Sequence, residues 1–106
     1  MKLIYVCSPY RGNVEYNVAK ARGYCRFAYT QGVTPFAPHL HNTQFLDDSI
    51  QEECSAGKLL GLDMLHRSSE LWVFGDTISE GMMAEIEAAE RLGIPVVFYS
   101  DKCERR

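Results

Sequence analysis

No stretch of this 106-residue chain approaches the ~18 consecutive apolar residues of a membrane span. Its opening, "MKLIYVCSPY", lacks the basic and long apolar regions of a signal peptide. No membrane partner is therefore expected, and a cytoplasmic location is. Cysteine is sparse and unpaired in pattern: Cys7, Cys25, Cys54 and Cys103 form no C-x-x-C motif, so free thiols are the default. Basic charge is short as well. Eleven Lys and Arg against fourteen Asp and Glu leave a formal charge of -3 and a pI near 5.5. That balance argues against a nucleic-acid polymer as partner, while leaving room for a local basic pocket. Linkers, repeats and low-complexity segments are also missing. What remains is an ordinary globular composition, 46% hydrophobic, long enough for one domain over residues 1–106.

Hydrophobic patterning divides the chain into alternating strands and helices. "KLIYVC" is a short apolar run closed by "SPYRGN", as in a buried strand and its turn. Helical spacing runs from about Val14 to Gln31, with Asn13 as a cap and Gly32 as a stop. "VTPFAP" is a second short strand, whose prolines suit an edge or an irregular extended segment. Residues 39–52 have the pattern of a long loop over a site. A helix follows from about Glu53 to His66, then a third strand in "LWVFG", a helix within residues 78–93, and a fourth strand in "PVVFY". This alternation predicts an α/β fold, Rossmann-like or flavodoxin-like, with a parallel sheet of about four or five strands and helices on both faces. Ligands bind such sheets at the carboxyl ends of the strands, near a switch in strand order.

Glu85 is the unusual residue near those strand ends. At about 100° per residue, Gly81, Met82, Ile86, Ala88, Ala89 and Leu92 gather on an arc of roughly 160°, and Glu85 falls near its middle. A carboxylate turned toward a core needs a partner, a proton or an open cavity. A rotated helix or a cap on a neighbouring loop is the plainer alternative. Ser79 is placed to cap the helix, and Gly81 leaves room for close approach to the backbone. The helix dipole there favours an ionised carboxylate, the form a nucleophile needs. Asp63, on the preceding helix, is either a solvated residue or a second acid across the cleft, the pairing that retaining glycosyl transfer requires.

"SPYRG" sets a hydroxyl, the Arg11 guanidinium and Gly12 before a helix start, which suits a phosphate or another anion as well as it suits a plain tight turn. It lacks P-loop spacing. Cys7 to Arg11 is also too short to wrap an anion loop around a nucleophilic thiolate. Tyr5 and Tyr10 flank this turn; Tyr5 is equally suited to the core or to donating a phenolic hydrogen bond. His39 and His41 alternate, but without a clear third ligand no metal is expected and no cofactor is implied, so one of them lines the pocket or bonds a loop. Asp47 and Asp48 fit a solvated acidic loop or a ligand contact. A response-regulator receiver would use Asp76 and Lys102, yet Cys7 and Ser8 stand where its acidic pair belongs.

The segments "YVCSPYRG", "PHL", "FLDD", "ELWVFG" and "ISEGMMAEIEAA" resemble the nucleoside 2-deoxyribosyltransferase-like superfamily over nearly the full chain, and within it the small phage and bacterial domains of unknown function of the DUF4406-like kind. Tyr5, Cys7, Arg11 and Gly12, then Ser79, Gly81 and Glu85, also match in order the motifs of the 2′-deoxynucleoside 5′-monophosphate N-hydrolases. The resemblance implies Glu85 as nucleophile, with Tyr5 also catalytic and Asp63 assisting at the base. It implies Ser8, Arg11, Gly12, Ser79 and Gly81 around the 5′-phosphate; it carries no role over to the loop with His39, His41, Asp47 and Asp48, where His39 is taken as the pocket-lining histidine on its own chemistry. Pro9 and Tyr10 depart from the hydrolase turn, and the connection after Asp63 is shorter.

The expected activity is cleavage or transfer at the N-glycosidic bond of a nucleoside or nucleotide. A non-catalytic nucleotide-binding or sensing domain is the alternative, and hydrolysis of another NAD-like glycosidic bond a third. The expected partner is a small nucleoside or nucleotide, and the resemblance implies a homodimer or higher homo-oligomer.

Overall fold

A computed structural model describes all 106 residues. The chain runs β1 (Leu3–Cys7), α1 (Val14–Thr30), β2 (Thr34–Phe36), α2 (Pro38–His41) with a 3-10 turn at Asn42–Gln44, α3 (Gln51–Arg67), β3 (Glu70–Phe74), α4 (Glu80–Arg91) and β4 (Val96–Tyr99). All three strand pairings are parallel, in the order β2-β1-β3-β4. After β2 the chain crosses β1 to lay down β3, so the strand order switches between β1 and β3. The carboxyl ends of these two strands therefore frame the crevice that such sheets use for ligands.

β1 is buried on both sides, as a central parallel strand should be, and its side chains alternate between two cores. Ile4 and Val6 join Tyr24, Ala28, Trp72, Phe74 and Tyr99 beneath α1. Tyr5 and Cys7 face the other way, into a core with Leu65, Leu71, Val73, Met82, Ile86, Ala88 and Ala89 supplied by β3, α3 and α4. Aromatic rings fill the first core: Tyr24 and Phe74 stack at 4.4 Å, and Phe74 and Tyr99 at 5.1 Å. This crowding leaves the α3/α4 side as the one carrying polar chemistry. β2 pairs only with β1, and Pro35 sits opposite Ile4 on that edge strand, where its missing N–H costs no ladder bond.

Most expected elements are present, with bounds shifted by a residue or two. α3 begins at Gln51 and ends at Arg67, and the sheet has four strands. Residues 39–52 are more regular than the expected loop. Pro38 starts a short helix at its first position, and Asn42, buried, donates to the Gly57 carbonyl at 3.3 Å. This hydrogen bond ties the connection down onto α3.

One helical position sets how closely α3 lies on the sheet. A Cβ at Gly61 would stand 2.9 Å from the Tyr5 hydroxyl, whose ring is only 1% exposed and cannot swing aside freely. Gly61→Ala is expected to lower stability by about 1 kcal/mol, overpacking outweighing the helix propensity gained. Gly23→Ala, at an α1 position with open space around its Cβ, should instead stabilise by ~0.5–1 kcal/mol. Urea midpoints of the two variants check the contrast.

Candidate active site

α4 is capped where the sequence proposes: the Ser79 hydroxyl accepts from the Met82 N–H at 3.2 Å. With the helix started there, Met82, Ile86, Ala88 and Ala89 are buried, whereas Gly81 and Leu92, beside Glu85 on the predicted arc but at the two ends of the helix, are exposed. Glu85 lies between them, half-buried, with its carboxylate turned to the sheet. The Tyr5 hydroxyl donates a short hydrogen bond to Glu85 Oε2. Cys7, two residues along the same strand face, directs its thiol to the Met82 carbonyl of α4, 3.9 Å from Sγ.

Electrostatics at this point are governed by burial. Desolvation raises the Glu85 carboxyl above its ordinary range, and the Tyr5 hydrogen bond only partly offsets it. The expected help from the helix dipole is small, because α4 begins at Glu80 and the dipole effect fades within the first turn. Desolvation, aided by the neighbouring negative charge, also pushes the Tyr5 phenol and the Cys7 thiol up, so both keep their protons and remain donors.

The turn after β1 is built separately. Gly12 has φ of +98°, in the left-handed region that favours glycine, and Asn13 caps α1 by accepting from the Tyr16 N–H at 3.2 Å. Asn17 donates to the carbonyls of Tyr10 and Arg11, at 2.9 and 3.2 Å. The Ser8 hydroxyl is buried without a hydrogen-bond partner, an unusual state for a polar group at a ligand edge. His39 Nε2 lies 3.0 Å from the Ser8 carbonyl, and since a carbonyl only accepts, that nitrogen carries the proton. Its ring stacks on Tyr10 with centroids 4.7 Å apart, and burial lowers its pKa. His39 therefore staples the turn as a neutral ring. Arg11 reaches Asp48 at 3.4 Å and the Cys54 sulfur at 3.2 Å.

Asp63 does not share the cleft with Glu85. It lies on the outer face of α3, 60% exposed and paired with Arg67 at 3.1 Å, because the helix presents Gly61 and Leu65 inward. The position facing the Tyr5 hydroxyl is Gly61. The structure thus gathers Tyr5 and Glu85 at one point and Ser8, Arg11, Gly12 and His39 around the β1 turn. Ser79 and Gly81 stand exposed at the start of α4. Sequence reasoning passed over Asp48 as the partner of Arg11. Beyond the turn, Tyr10, Thr43, Gln44, Phe45, Leu46, Asp47, Asp48 and Glu53 line an open cavity of about 490 Å³.

The model of a family described as a domain of unknown function (DUF7768) matches residues 2–99. No curated protein sequence matches the chain. Among solved structures, the chain is similar to a 2-deoxyribosyltransferase from the psychrotolerant bacterium Bacillus psychrosaccharolyticus, with a TM-score of 0.70 and 24% identity over 92% of this chain and 72% of that one. It is also similar to the 2-deoxyribosyltransferase from Leishmania mexicana, with a TM-score of 0.69 and 17% identity over 94% of this chain. The match spans 65% of the Leishmania chain. At these identities the likeness is one of fold.

Burial of Glu85 has a measurable cost. Because its folded pKa is raised above the unfolded value, the stability linked to its neutral form is complete below about pH 4.5 and is lost as pH rises through the folded pKa. Glu85→Gln keeps that neutral form at every pH and can still accept from Tyr5. The variant is expected to melt a few degrees above the parent at pH 7 and to match it near pH 4, as thermal scans across that range would read.

Proposed function

We propose, starting from the fact that this chain belongs to the DUF7768 family, that it cleaves or transfers at the N-glycosidic bond of a deoxynucleoside or its 5′-monophosphate. Glu85 is the nucleophile in this reading. The observation that carries it is a carboxylate half-buried at the switch-point crevice and held in one orientation by the Tyr5 hydroxyl. Two solved neighbours with the same fold are named as 2-deoxyribosyltransferases, which adds support from outside the chain.

Chemically, Glu85 attacks C1′ of the sugar while the bond to the base breaks through an oxocarbenium-like transition state, leaving a glycosyl ester on the carboxylate. Water then releases the sugar, or a second base takes it. Tyr5 fixes which carboxylate oxygen is free: with Oε2 occupied by the phenol, Oε1 is the attacking atom. The unpartnered Ser8 hydroxyl, the Gly12 turn and Arg11 form the anion end, joined by Ser79 and Gly81 at the start of α4. A 5′-phosphate arriving there competes with Asp48 for the Arg11 guanidinium, an exposed pair that yields at little cost. His39 supports this end indirectly, by holding the Ser8 carbonyl.

Assembly into a homodimer or larger homo-oligomer belongs to the same proposal. Leu59 and Leu62 are 69% and 42% exposed on the outer face of α3, the face that also carries Asp63. A second copy covering these leucines would bring Asp63 into a buried setting that one chain alone does not give it. Light scattering behind size exclusion should report more than one copy per particle, and the paired changes Leu59→Lys and Leu62→Lys should return it to a monomer.

Chromatography of free base after incubation with deoxynucleosides and their 5′-monophosphates tests the chemistry. Base release is expected from the parent and should be absent from Glu85→Ala. Arg11→Ala should lose about tenfold more activity on monophosphates than on nucleosides, the loss of ~1.4 kcal/mol of charge-assisted binding. Equal turnover by Glu85→Ala and the parent would remove Glu85 from the mechanism.

A further inference from the structure

After β4 the chain turns back and runs antiparallel along the free edge of that strand. Ser100 Oγ accepts from the Lys102 and Glu104 amides at 3.1 and 3.2 Å, Arg105 bridges Tyr99, and the Arg106 N–H donates to the Phe98 carbonyl at 2.9 Å. The Lys20 ammonium fastens the same segment to α1 by donating to the Asp101 carbonyl at 2.8 Å. Arg106 is thereby carried to the end of β3, where its guanidinium donates to the Gly75 carbonyl at 2.8 Å and pairs with Asp76 at 3.6 Å. Gly75 is buried with φ of +106°, and its N–H already donates to the Tyr99 carbonyl at 3.1 Å, so Arg106 answers the remaining backbone group of that residue. We propose that Arg106 is a positioning residue which, through the Gly75 carbonyl, holds the turn over residues 75–79 against the turn after β1 and so fixes the width of the crevice mouth. The kinetic part of its test rests on the reaction proposed above; the clamp itself does not.

Gly75 is the seam between the two turns. A Cβ there would stand 3.9 Å from Pro9 Cδ, in ordinary van der Waals contact, and Pro9 follows directly on the unpartnered Ser8 hydroxyl. Pro9, Lys20, Gly75, Asp76, Thr77 and Asp101 line one crevice of about 220 Å³, so both turns share a wall. Four residues past Gly75, Ser79 caps α4. Beyond that cap Met82, Ile86 and Ala89 seat the helix in the core, which holds Glu85 independently of the turn. Within the turn only Ile78 packs on the core, half-buried, while Asp76, Thr77 and Ser79 are exposed. The Gly75 end therefore carries the rest of its anchoring. Loss of the guanidinium would leave a buried carbonyl unpaired and free the turn to move from the β1 turn while the nucleophile stays in place. The pair with Asp76 adds little, because its side chains are 45% and 72% exposed.

Amide hydrogen exchange of the parent, Arg106→Ala, Arg106→Lys and Asp76→Asn supplies the test. The Gly75 amide, bonded to Tyr99, and the Met82 and Met83 amides, bonded to Ser79, report on the two ends of the turn. In Arg106→Ala they should exchange about tenfold faster, as follows from loss of a charge-assisted hydrogen bond, while the amides of β1 keep parental rates. Arg106→Lys retains a cationic donor and should restore most of the protection, and Asp76→Asn should exchange as the parent does. Parental rates at Gly75 and Met82 in Arg106→Ala would overturn the proposal. So would an acceleration spread equally over β1, the mark of a merely destabilised fold. In the base-release assay, Arg106→Ala should raise KM for a deoxynucleoside 5′-monophosphate about threefold and leave kcat unchanged, because Glu85 does not move. A fall in kcat with KM unchanged would mean that the nucleophile moved instead, and would also overturn it. Exchange needs no turnover, so a parent that releases no base would count against the proposed reaction and leave the clamp to be decided by the exchange rates.

Discussion

The hydrogen bond between Tyr5 and Glu85 is the contact on which the α3/α4 half of the molecule turns. A carboxylate half-sunk in an apolar layer is costly unless its oxygens are answered. β1 supplies the answer from the centre of the sheet, the least mobile place in the fold. That choice constrains the rest. The phenol needs space, so the helix above it carries glycine at position 61. The acid must arrive at a fixed height, so α4 is capped by Ser79 and stopped near Gly93, whose φ of +72° closes the helix into β4. Packing of Met82, Ile86 and Ala89 against Leu71 and Val73 then fixes the rotation of α4 that keeps Glu85 inward.

The turn after β1 follows a different physical rule. Its backbone is fixed by Gly12, Asn13, Asn17 and His39, none of which relies on a net charge. Its charged element, Arg11, is exposed and engaged only with the exposed Asp48 and the Cys54 sulfur. Such surface pairs contribute little to folding, on the order of 0–1 kcal/mol. The frame of the turn therefore stays put while the guanidinium exchanges partners. In the proposed function, a rigid nucleophile beside an anion end with an exchangeable counterion is a coherent division for binding and releasing a phosphorylated molecule.

Local features that obey a single period were legible in the sequence. The short apolar run in "LIYVC", the apolar arc around Glu85, the Asn13 and Ser79 caps and the edge character of the proline-bearing β2 all come from rules acting within a few residues. Asp63 shows where such reading stops. Its helix was recognised, but which face of that helix meets the sheet depends on Gly61 nesting over the Tyr5 hydroxyl, a contact 56 residues apart in sequence. The same holds for Arg11 and Asp48, whose meeting depends on how α2 and the 3-10 turn fold the connection back over the β1 end. Residues 39–52 were read as loop because helices of three and four residues are too short for periodicity to declare themselves.

Placing the acid where burial raises its pKa works in two directions on the proposed reaction. The ionised fraction falls at any given pH below that raised value, which slows attack. The carboxylate that does form is less stabilised by solvent, hence more basic and more ready to share its electrons with an electron-poor anomeric carbon. The Tyr5 hydroxyl from β1 tempers the desolvation that raises the Glu85 pKa. A fixed cation in its place would leave an ionised but weakly nucleophilic acid. A hydrogen bond from a neutral phenol lowers the cost of the charge without neutralising it. In the proposed reaction, a buried acid held by a neutral donor, with the Arg11 guanidinium committed to Asp48 and Cys54, is therefore the arrangement that leaves Glu85 able to ionise and reactive once ionised.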